Sequence, residues 1–433
     1  MKTLDQIAAE LQGYDPQALS AHTVNGFLAQ LVPLPTQSEE VPLMQALGRV
    51  LAQTVVSPID VPPHDNSAMD GYAFDGQALQ IDTPLQLTVV GTALAGAAYQ
   101  GAVATGQCIK IMTGAVMPAG LDTVVPQELV QTSGAQITIP AGVLRAGDNR
   151  RARGEDLQQG NTALAAGSVL APASLGLLAS LGLPTVRVWR RLRVAYFSTG
   201  DEILSLGQAP REGAVFDSNR YTVWGMLQRM GMECIDLGVV PDEPVALEAA
   251  FRSAAALADA IVTSAGVSVG EADHTKAMMR KIAQSDTPGE GGVVFWRIAM
   301  RPGRPMAVGR VGRVPLFGLP GNPVAVMVTF LAFVRPALWR MAGANAQDPA
   351  ISPPLLKARS TQAIRKKPGR TEYQRAIVSP DAQGHLCVET TGDQGSGVLS
   401  SMVRANGLLV LHHDQGKVSP GDVVDVMVFA GVM

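Results

Sequence analysis

A glycine-rich turn late in the sequence has a composition that could bind an anion. It contains Gly318, Pro320, Gly321 and Asn322, follows the apolar run 314–317, and ends at Pro323, where another apolar run begins. Proline is well tolerated in the first turn of a helix, so the segment is predicted to join a strand to a helix. The backbone N–H groups and the positive end of such a helix suit a phosphate or another oxyanion. The Gly-Lys-Ser/Thr ending of a nucleotide-binding P-loop is absent, and a plain strand-to-helix turn explains the segment equally well.

Carboxylates and further polar loops are expected at the same edge of the predicted sheet. Glu202, Asp242 and Asp273 each follow a predicted strand. Three neighbouring carboxylates repel one another unless a cation intervenes, and Mg²⁺ prefers such oxygen ligands beside a phosphate. We therefore predict a magnesium site at Glu202, Asp242 and Asp273. The polar loops supply the candidate anion-binding residues Ser198, Thr199, Gly200, Gly266, Ser268 and Gly270.

Arginines near another strand end could neutralise a bound anion. Arg297, Arg301 and Arg304 lie around the end of the predicted strand 293–300, and guanidinium groups bind oxyanions well. Taken singly, each of these charges is more often a solvated loop residue. Their convergence at one sheet edge is the signal for a binding site.

Two motifs stand out in the first third of the chain. Residues 64–73 combine small, acidic and turn-forming residues around Asp70, which predicts a specific loop. Residues 150–156 contain Arg151 and Asp156 within a charged run. Asp70 could be only a turn residue, and the charged run could be only an exposed turn.

Net charge, cysteine and histidine spacing and the N-terminal sequence argue against several classes of protein. A net charge of -3 gives no electrostatic case for nucleic acid or an anionic membrane as a partner. The three cysteines and six histidines lack zinc-site or disulfide spacing, so the cysteines are expected to be small buried hydrophobes. Ser198 and Ser268 have no nucleophile elbow around them. The N-terminus lacks a signal peptide and the longest apolar run, 324–334, is short, so a cytoplasmic location is expected.

The elements that must position these residues divide the chain into four parts. Strands and helices alternate through 189–345, which predicts a mainly parallel, doubly wound α/β sheet domain, with a helix starting at the N-caps 217–219. Residues 56–155 read as a small β-rich domain. Residues 15–55 and 156–188 read as an extended helical or linker domain, including helical pieces around 26–28 and 43–51. Residues 350–433 are predicted to form a β-barrel, and an N-terminal helix, 1–14, is expected to pack on the sheet domain.

From the residues alone, this pattern indicates a magnesium-assisted enzyme for a phosphorylated or nucleotide-like small anion. Several ordered segments make the assignment more specific, because they resemble the molybdopterin molybdenumtransferases, which include the catalytic part of gephyrin. The matching segments are 65–73, 111–115, 153–156, 197–202, 266–273, 318–323, 368–370 and 391–396. They extend over about 330 residues.

The resemblance implies an activity, an assembly and a set of site residues. Members of the family convert molybdopterin adenylate and molybdate into molybdenum cofactor and AMP, with Mg²⁺ required. The implied assembly is an elongated homodimer whose cleft lies between the sheet domain of one subunit and the β-rich domain of the other. The residues carried over are Asp70, Thr113, Arg151 and Asp156 from the β-rich domain, Glu202, Asp242, Asp273, Arg297 and Arg301 from the sheet domain, and Arg375 and Ser396 from the terminal domain.

Two departures and two rival functions remain open at this point. Arg297 and Arg301 stand where members of the family usually carry lysine, so the contacts to a bound anion need not be the same. A molybdopterin adenylyltransferase resembles the sheet domain alone and is a possible partner as well as a rival. A gephyrin-like scaffold without catalysis is the other alternative.

Overall fold

The computed structural model describes residues 6, 19–265, 292–431 and 433. Its helices are α1 (Ala21–Leu31), α2 (Pro172–Ser180), α3 (Ser218–Arg229), α4 (Pro244–Leu257), α5 (Pro323–Thr329), α6 (Arg335–Met341) and α7 (Leu399–Arg404). The strands before the sheet domain are β1 (Ser38–Pro42), β2 (Val55–Val56), β3 (Asn66–Ser67), β4 (Gly71–Phe74), β5 (Leu85–Ala93), β6 (Gln107–Ile111), β7 (Thr123–Pro126), β8 (Gln131–Ser133), β9 (Gln136–Ile139), β10 (Arg150–Arg151), β11 (Thr162–Leu164) and β12 (Thr185–Trp189). The remaining strands are β13 (Arg193–Thr199), β14 (Ile203–Leu204), β15 (Val215–Phe216), β16 (Glu233–Val240), β17 (Ala260–Ser264), β18 (Gly292–Arg297), β19 (Met300–Arg301), β20 (Pro305–Val311), β21 (Val314–Leu319), β22 (Leu356–Ser360), β23 (Thr371–Pro380), β24 (Leu386–Thr390), β25 (Gly407–Leu411) and β26 (Val423–Val428).

The sheet domain is built on six strands in the order β16-β13-β17-β21-β20-β18. The first four run parallel, while β20 is antiparallel to both of its neighbours. The prediction of a mainly parallel sheet is therefore confirmed. The sequence reading missed β20, because it lies in a stretch rich in Gly, Pro and Arg that reads as a loop.

Both faces of this sheet are covered, as a doubly wound domain requires. Along β13, Val194 and Tyr196 belong to the core under α3 and α5, while Ala195 and Phe197 face α4. Side chains alternate between the faces of a strand, so one apolar run can supply two cores. On the α4 side the Phe197 and Phe251 rings meet edge to face, with centroids 5.0 Å apart.

The last helical stretch of the sheet domain runs from α5 to α6 through a π-helical turn, Phe330–Val334. Pro336 has no N–H to donate to the carbonyl of Ala332, four residues earlier. The Asn25 side chain of α1 donates to that carbonyl instead, at 3.1 Å. The helical stretch Pro323–Met341 is long and apolar enough to cross a bilayer, since its most apolar 18 residues have a mean hydropathy of 1.5. However, 89% of those residues are buried inside the protein. In this structure it is a core helix.

Residues 19–56 and 160–189 contain the connecting elements of the chain. The predicted helical piece around 26–28 is α1, which packs on the sheet domain through Phe27 and Leu28. The prediction of a second helix at 43–51 is wrong: this segment has only a 3₁₀ turn, Leu43–Gln45, next to β1. Val50 and Leu51 instead form bridges with the distant Val169 and Val188, so tertiary pairing overrides local helical periodicity. The predicted helix 1–14 lies, except for Gln6, outside the described residues.

The two smaller β structures have separate cores. The β-rich domain contains a sheet in the order β7-β4-β6-β5-β9-β8. In the terminal domain β23, β24, β22, β26 and β25 close on each other through the β23–β25 pairing, which confirms the predicted barrel. The short strand β19 adds to β23 and ties the barrel to the sheet domain. Cys108 is fully buried, which raises the pKa of its thiol to about 12, whereas Cys234 and Cys387 are half-buried.

Candidate active site

A cleft of about 1120 Å³ opens at the carboxyl edge of the central sheet. This is the edge where open α/β sheets bind ligands. Its walls come from the loops after β13, β17 and β21, from the turn that follows β18, and from the barrel loop 394–397. No residue of the β-rich domain, 56–155, is among the lining residues that the structure describes.

Buried hydroxyl groups lie beneath one wall of the cleft. Ser198 and Ser264 end the neighbouring strands β13 and β17, line the cleft, and lie 3.3 Å apart at their Oγ atoms. The fully buried Tyr196 hydroxyl is 2.6 Å from Ser264 Oγ and 3.0 Å from Ser198 Oγ. Burial raises the pKa of Tyr196, so its hydroxyl stays protonated and can donate to either serine. Tyr196 thus positions two hydroxyls that line the cleft.

The glycine-rich turn forms the second wall, as the sequence predicts. Pro320, Gly321 and Asn322 line the cleft, whereas Gly318 lies inside β21. The Asn219 amide donates to the Gly321 carbonyl at 2.7 Å, and the N–H of Val324, in the first turn of α5, donates to the Ser396 carbonyl at 3.1 Å. The barrel loop therefore supports the start of α5. Ser396 lines the cleft, as expected.

The start of α3 brings two buried polar side chains to the cleft. Asp217 is the N-cap residue, and its Oδ1 accepts from the Arg220 N–H at 3.0 Å. Asp217 and Asn219 both line the cleft and are 3% and 7% exposed. In each of them one oxygen, Asp217 Oδ2 and Asn219 Oδ1, is buried and has no partner among the described residues. Most buried polar atoms in folded proteins are paired, so this arrangement is unusual.

Exposed arginines give the cleft its positive charge. Arg301 and Arg304 are exposed and line the cleft together with Arg370. Arg370 is held by an ion pair of 2.7 Å with the buried Glu372 of β23. Arg301 lies in β19, directly opposite Glu372 in the register. These guanidinium groups suit an anionic ligand with several oxygens.

The predicted acidic residues are only partly brought together. Glu202 lines the cleft and is exposed. Gly200, with φ +133°, does not line the cleft but leaves room for Glu202: a Cβ there would lie 2.5 Å from Glu202 Oε2. Asp242 stands outside the lining, although its N–H donates to the Asp201 carboxylate at 3.2 Å and so joins the loops after β13 and β16.

The third predicted acidic residue and three predicted loop residues belong to the part of the chain between 265 and 292. Asp273, Gly266, Ser268 and Gly270 lie outside the described residues. Within the described ranges no group of three or more His, Cys, Asp or Glu residues could hold a metal ion. Glu202 and Asp242, on adjacent loops, supply the oxygen chemistry that Mg²⁺ takes when one or two carboxylates and water complete its shell. The donors present are therefore compatible with magnesium.

Arg375 and Arg297 do not line the cleft. Arg375 is fully buried, and it donates to the carbonyls of Asp393, Gln394 and Gly395 and to the Ser401 hydroxyl. Its predicted role as a direct anion ligand does not fit this placement, because its nitrogens hold the barrel loop that borders the cleft. Burial lowers the pKa of Arg375. Arg297 is exposed at the end of β18, and its carbonyl accepts from the Leu19 N–H at 3.1 Å.

The predicted residues of the β-rich domain are all exposed, and two of them, Asp70 and Thr113, are in contact. Asp70 Oδ1 accepts from Thr113 N–H at 2.7 Å and from Thr113 Oγ1 at 2.8 Å. These two bonds, the backbone one first, lower the pKa of Asp70. The next residue, Gly71, lets β4 lie close to β7, because a Cβ there would clash with the Val125 carbonyl. Strand β10 pairs Arg151 with Asn66 of the predicted loop.

The neighbouring charges of this loop are mostly paired with one another. Arg153 forms an ion pair of 2.5 Å with Asp60, and Arg150 lies 3.4 Å from Asp65. Arg151, between them, is exposed and forms no ion pair within the part of the chain that the structure describes. Asp156 is exposed on the adjoining turn. Arg151 can therefore contact a ligand without first breaking an ion pair of this loop.

Sequence reasoning missed Asp217, Asn219 and Ser264, which line the cleft, and Tyr196, which is buried beneath it. Asp217 and Asn219 were recognised only as possible N-caps. Their position beyond β13, at the edge that binds ligands, is a signal that could have identified them. Tyr196 and Ser264 carried no such signal, because their contact depends on the parallel register of β13 and β17, which pairs Ser198 with Ser264.

Comparison with known proteins agrees with this architecture over almost the entire chain. Residues 18–182 match the MoeA N-terminal region (domains I and II), 195–340 a probable molybdopterin binding domain, and 357–429 the MoeA C-terminal region (domain IV). The molybdopterin molybdenumtransferase of Haemophilus influenzae is 39% identical over 402 residues, which cover 93% of this chain and 96% of that protein. The enzyme of that name from a Nostoc species is 35% identical, covering 96% and 95%. The crystal structure of the molybdopterin biosynthesis MoeA protein from Pyrococcus horikoshii superposes with a TM-score of 0.78 at 27% identity, covering 95% of this chain and all of that one. The chain therefore belongs to the molybdopterin molybdenumtransferase family.

Proposed function

We propose that this protein inserts molybdate into adenylylated molybdopterin and releases AMP, forming molybdenum cofactor. The observation that carries the proposal is the arginine-lined cleft at the carboxyl edge of the sheet, in a chain that is similar to molybdopterin molybdenumtransferases over more than nine tenths of its length. The substrates are a tetrahedral oxyanion and a pyrophosphate-linked nucleotide. Both require a site that compensates several negative charges.

The cleft residues can carry out this task mainly by positioning and by neutralising charge. Arg301 and Arg304 would bind the oxygens of molybdate or of the pyrophosphate. The hydroxyls of Ser198 and Ser264, set by Tyr196, would donate to the same anions. Water would cleave the pyrophosphate link, which releases AMP and leaves a phosphate on molybdopterin. The two dithiolene sulfurs would bind molybdenum while their two protons go to one molybdate oxygen, which leaves as water.

Magnesium is part of the proposal. Glu202 and Asp242 would hold it, with Asp273 as a third carboxylate. When bound, Mg²⁺ would neutralise charge on the pyrophosphate oxygens. The support is the chemistry of Glu202 in the cleft and of Asp242 on the adjoining loop.

A homodimer would complete the cleft. In one subunit the exposed residues Asp70 and Arg151 lie outside the lining, so we propose that a second subunit supplies them. Exposed apolar residues beside the cleft, Phe216, Tyr221 and Trp224, support a contact surface there. A cytoplasmic location, without nucleic acid or membrane as a partner, and delivery of the substrate by a molybdopterin adenylyltransferase complete the proposal.

The decisive experiment measures AMP release from molybdopterin adenylate with and without molybdate and Mg²⁺. The wild-type protein should release AMP only when both are present, and Glu202→Gln should slow release at least about tenfold. Glu212→Gln, an exposed glutamate outside the cleft lining, is the matched control and should behave as wild type. Adenylylation of molybdopterin from ATP without molybdate insertion would instead show an adenylyltransferase. Receptor binding without AMP release would show a scaffold.

The dimer has its own test, in which two inactive variants are mixed. If each cleft combines Glu202 of one subunit with Asp70 of the other, Asp70→Asn and Glu202→Gln subunits should restore about a quarter of wild-type activity after random exchange. No recovery after proven subunit exchange would refute a shared cleft.

A further inference from the structure

We propose that Asp217 and Asn219 form the subsite that recognises the ring edge of the substrate, and that this edge carries two adjacent N–H donors. The chemistry is that of the aminopyrimidinone edge of a pterin. This inference rests on the proposed function and deepens it, since it names the residues that select the ring.

Each of the two side chains is held in place by a hydrogen bond to the backbone. Asp217 Oδ1 caps α3 through the Arg220 N–H, and Asn219 Nδ2 holds the Gly321 carbonyl. These bonds fix both side chains at the cleft. One atom of each, Asp217 Oδ2 and Asn219 Oδ1, is left buried without a partner among the described residues.

Both remaining atoms are hydrogen-bond acceptors. A buried acceptor without a donor destabilises the protein, and a buried carboxylate does so more strongly, unless a ligand supplies the donor. Two acceptors from one helix start call for two neighbouring donors. The 2-amino group and ring N3–H of a pterin offer them, whereas the corresponding edge of adenine offers one donor beside an acceptor.

The anionic groups of the substrate would bind at other parts of the cleft. Arg301 and Arg304 come from the turn after β18, whereas Asp217 and Asn219 come from the start of α3. An anion beside the Asp217 carboxylate would be repelled. The ring is therefore the part of molybdopterin adenylate that suits this position.

The test uses 6-hydroxymethylpterin, AMP and Mg²⁺ as separate probes, with affinities measured by calorimetry. Asp217→Asn keeps an oxygen for the helix cap but replaces the second acceptor by an NH₂ donor. The affinity for the pterin should fall at least about tenfold, because a charge-assisted hydrogen bond is lost and a like donor opposes the ligand. The affinities for AMP and Mg²⁺ should stay within about twofold of wild type.

Controls separate recognition from folding. Asp75→Asn alters another aspartate that caps a helical turn, at 3.0 Å from Gln77 N–H, and that does not line the cleft. It should leave all three affinities unchanged. Asp217→Ser keeps a capping oxygen and removes the second acceptor, and it replaces Asp217→Asn if that variant melts at a lower temperature. Wild type should also bind the pterin more tightly than the matching lumazine, which has an oxygen in place of the 2-amino group.

Three results for Asp217→Asn would overturn the inference. An unchanged pterin affinity removes the subsite, and a selective loss of AMP affinity assigns the position to adenine. A selective loss of Mg²⁺ affinity makes Asp217 a metal ligand instead. If the pterin result holds but wild type shows no molybdate-dependent AMP release, the subsite stands and the proposed function fails. If wild type releases AMP in a molybdate-dependent way but Asp217→Asn keeps its pterin affinity, the proposed function stands and the subsite is rejected.

Discussion

The loop around Asp70 and the cleft at the sheet edge organise their polar groups differently. In the loop, exposed Asp70 is held directly by Thr113, and neighbouring charges pair with one another at the surface. In the cleft, exposed Arg301 and Glu202 stand beside groups that are buried, such as Arg375 and Tyr196. The cleft thus separates residues that can contact a ligand from residues that hold the loops.

Mutations of buried and of exposed groups in these two regions should therefore have different effects. Buried groups support several backbone carbonyls or hydroxyls at once, so their loss should reduce stability. Exposed groups in the cleft can change binding while stability stays constant. In the loop, Asp70 and the residue that holds it, Thr113, are both exposed. A mutation of Thr113 should therefore change mainly the pKa of the Asp70 carboxyl.

The largest effect is expected for Arg375→Met. The carbonyls of Asp393, Gln394 and Gly395 would lose their buried donor, lowering the local free energy of unfolding by about 3 kcal/mol. Hydrogen exchange of the barrel strands measures this loss. The control Arg359→Met, at an exposed position on β22, should change it by less than about 0.5 kcal/mol. Unchanged exchange in Arg375→Met would disprove the supporting role.

A smaller effect, on binding alone, is expected for Arg301→Ala. Molybdate and AMP should bind about tenfold more weakly, or roughly 1.4 kcal/mol, because one exposed guanidinium leaves the cleft. Calorimetric titration measures both affinities, and raising the salt concentration should narrow the difference from wild type. Arg187→Ala, an exposed arginine outside the cleft lining, is the control. A fall in barrel stability in Arg301→Ala would erase the distinction between contact and support.

The smallest effect is expected in the β-rich domain. Thr113→Ala removes the hydroxyl bond to Asp70 but leaves the backbone bond, so the pKa of Asp70 should rise part of the way towards its usual 3.8. The bonds that depress this pKa stabilise the folded state above about pH 4, and that contribution is lost as pH falls through the folded-state value. An NMR titration of the Asp70 carboxyl measures the shift. Thr113→Ser keeps the hydroxyl and should show none; equal pKa values in all three proteins would contradict the geometry.

Much of the fold follows from local pattern. Alternating strands and helices predict the sheet domain, and the N-cap Asp217 and the proline at 323 mark two helix starts correctly. The expectation fails at 43–51, where a short 3₁₀ turn and bridges from Val50 and Leu51 to the distant Val169 and Val188 replace a helix. It also omits β20, whose Gly and Pro residues conceal a strand that two neighbours stabilise.

Part of the candidate site is also predictable from local sequence pattern. Residues that follow strands reach one edge of a parallel sheet by topology, so Glu202, Gly321 and Asn322 could be grouped without a structure. Arg375 could not be assigned correctly, because its direction depends on how the barrel closes around it. An exposed and a buried arginine look alike in a sequence.

The sequence by itself determined the family, the order of domains and the edge of the sheet where polar groups collect, because these follow from short-range patterns and ordered motifs. Only the tertiary structure decided which of those groups lie open in the cleft and which are buried beneath it. Burial and hydrogen bonding between strands that are far apart in the chain arise from packing, and they give chemically identical side chains different roles.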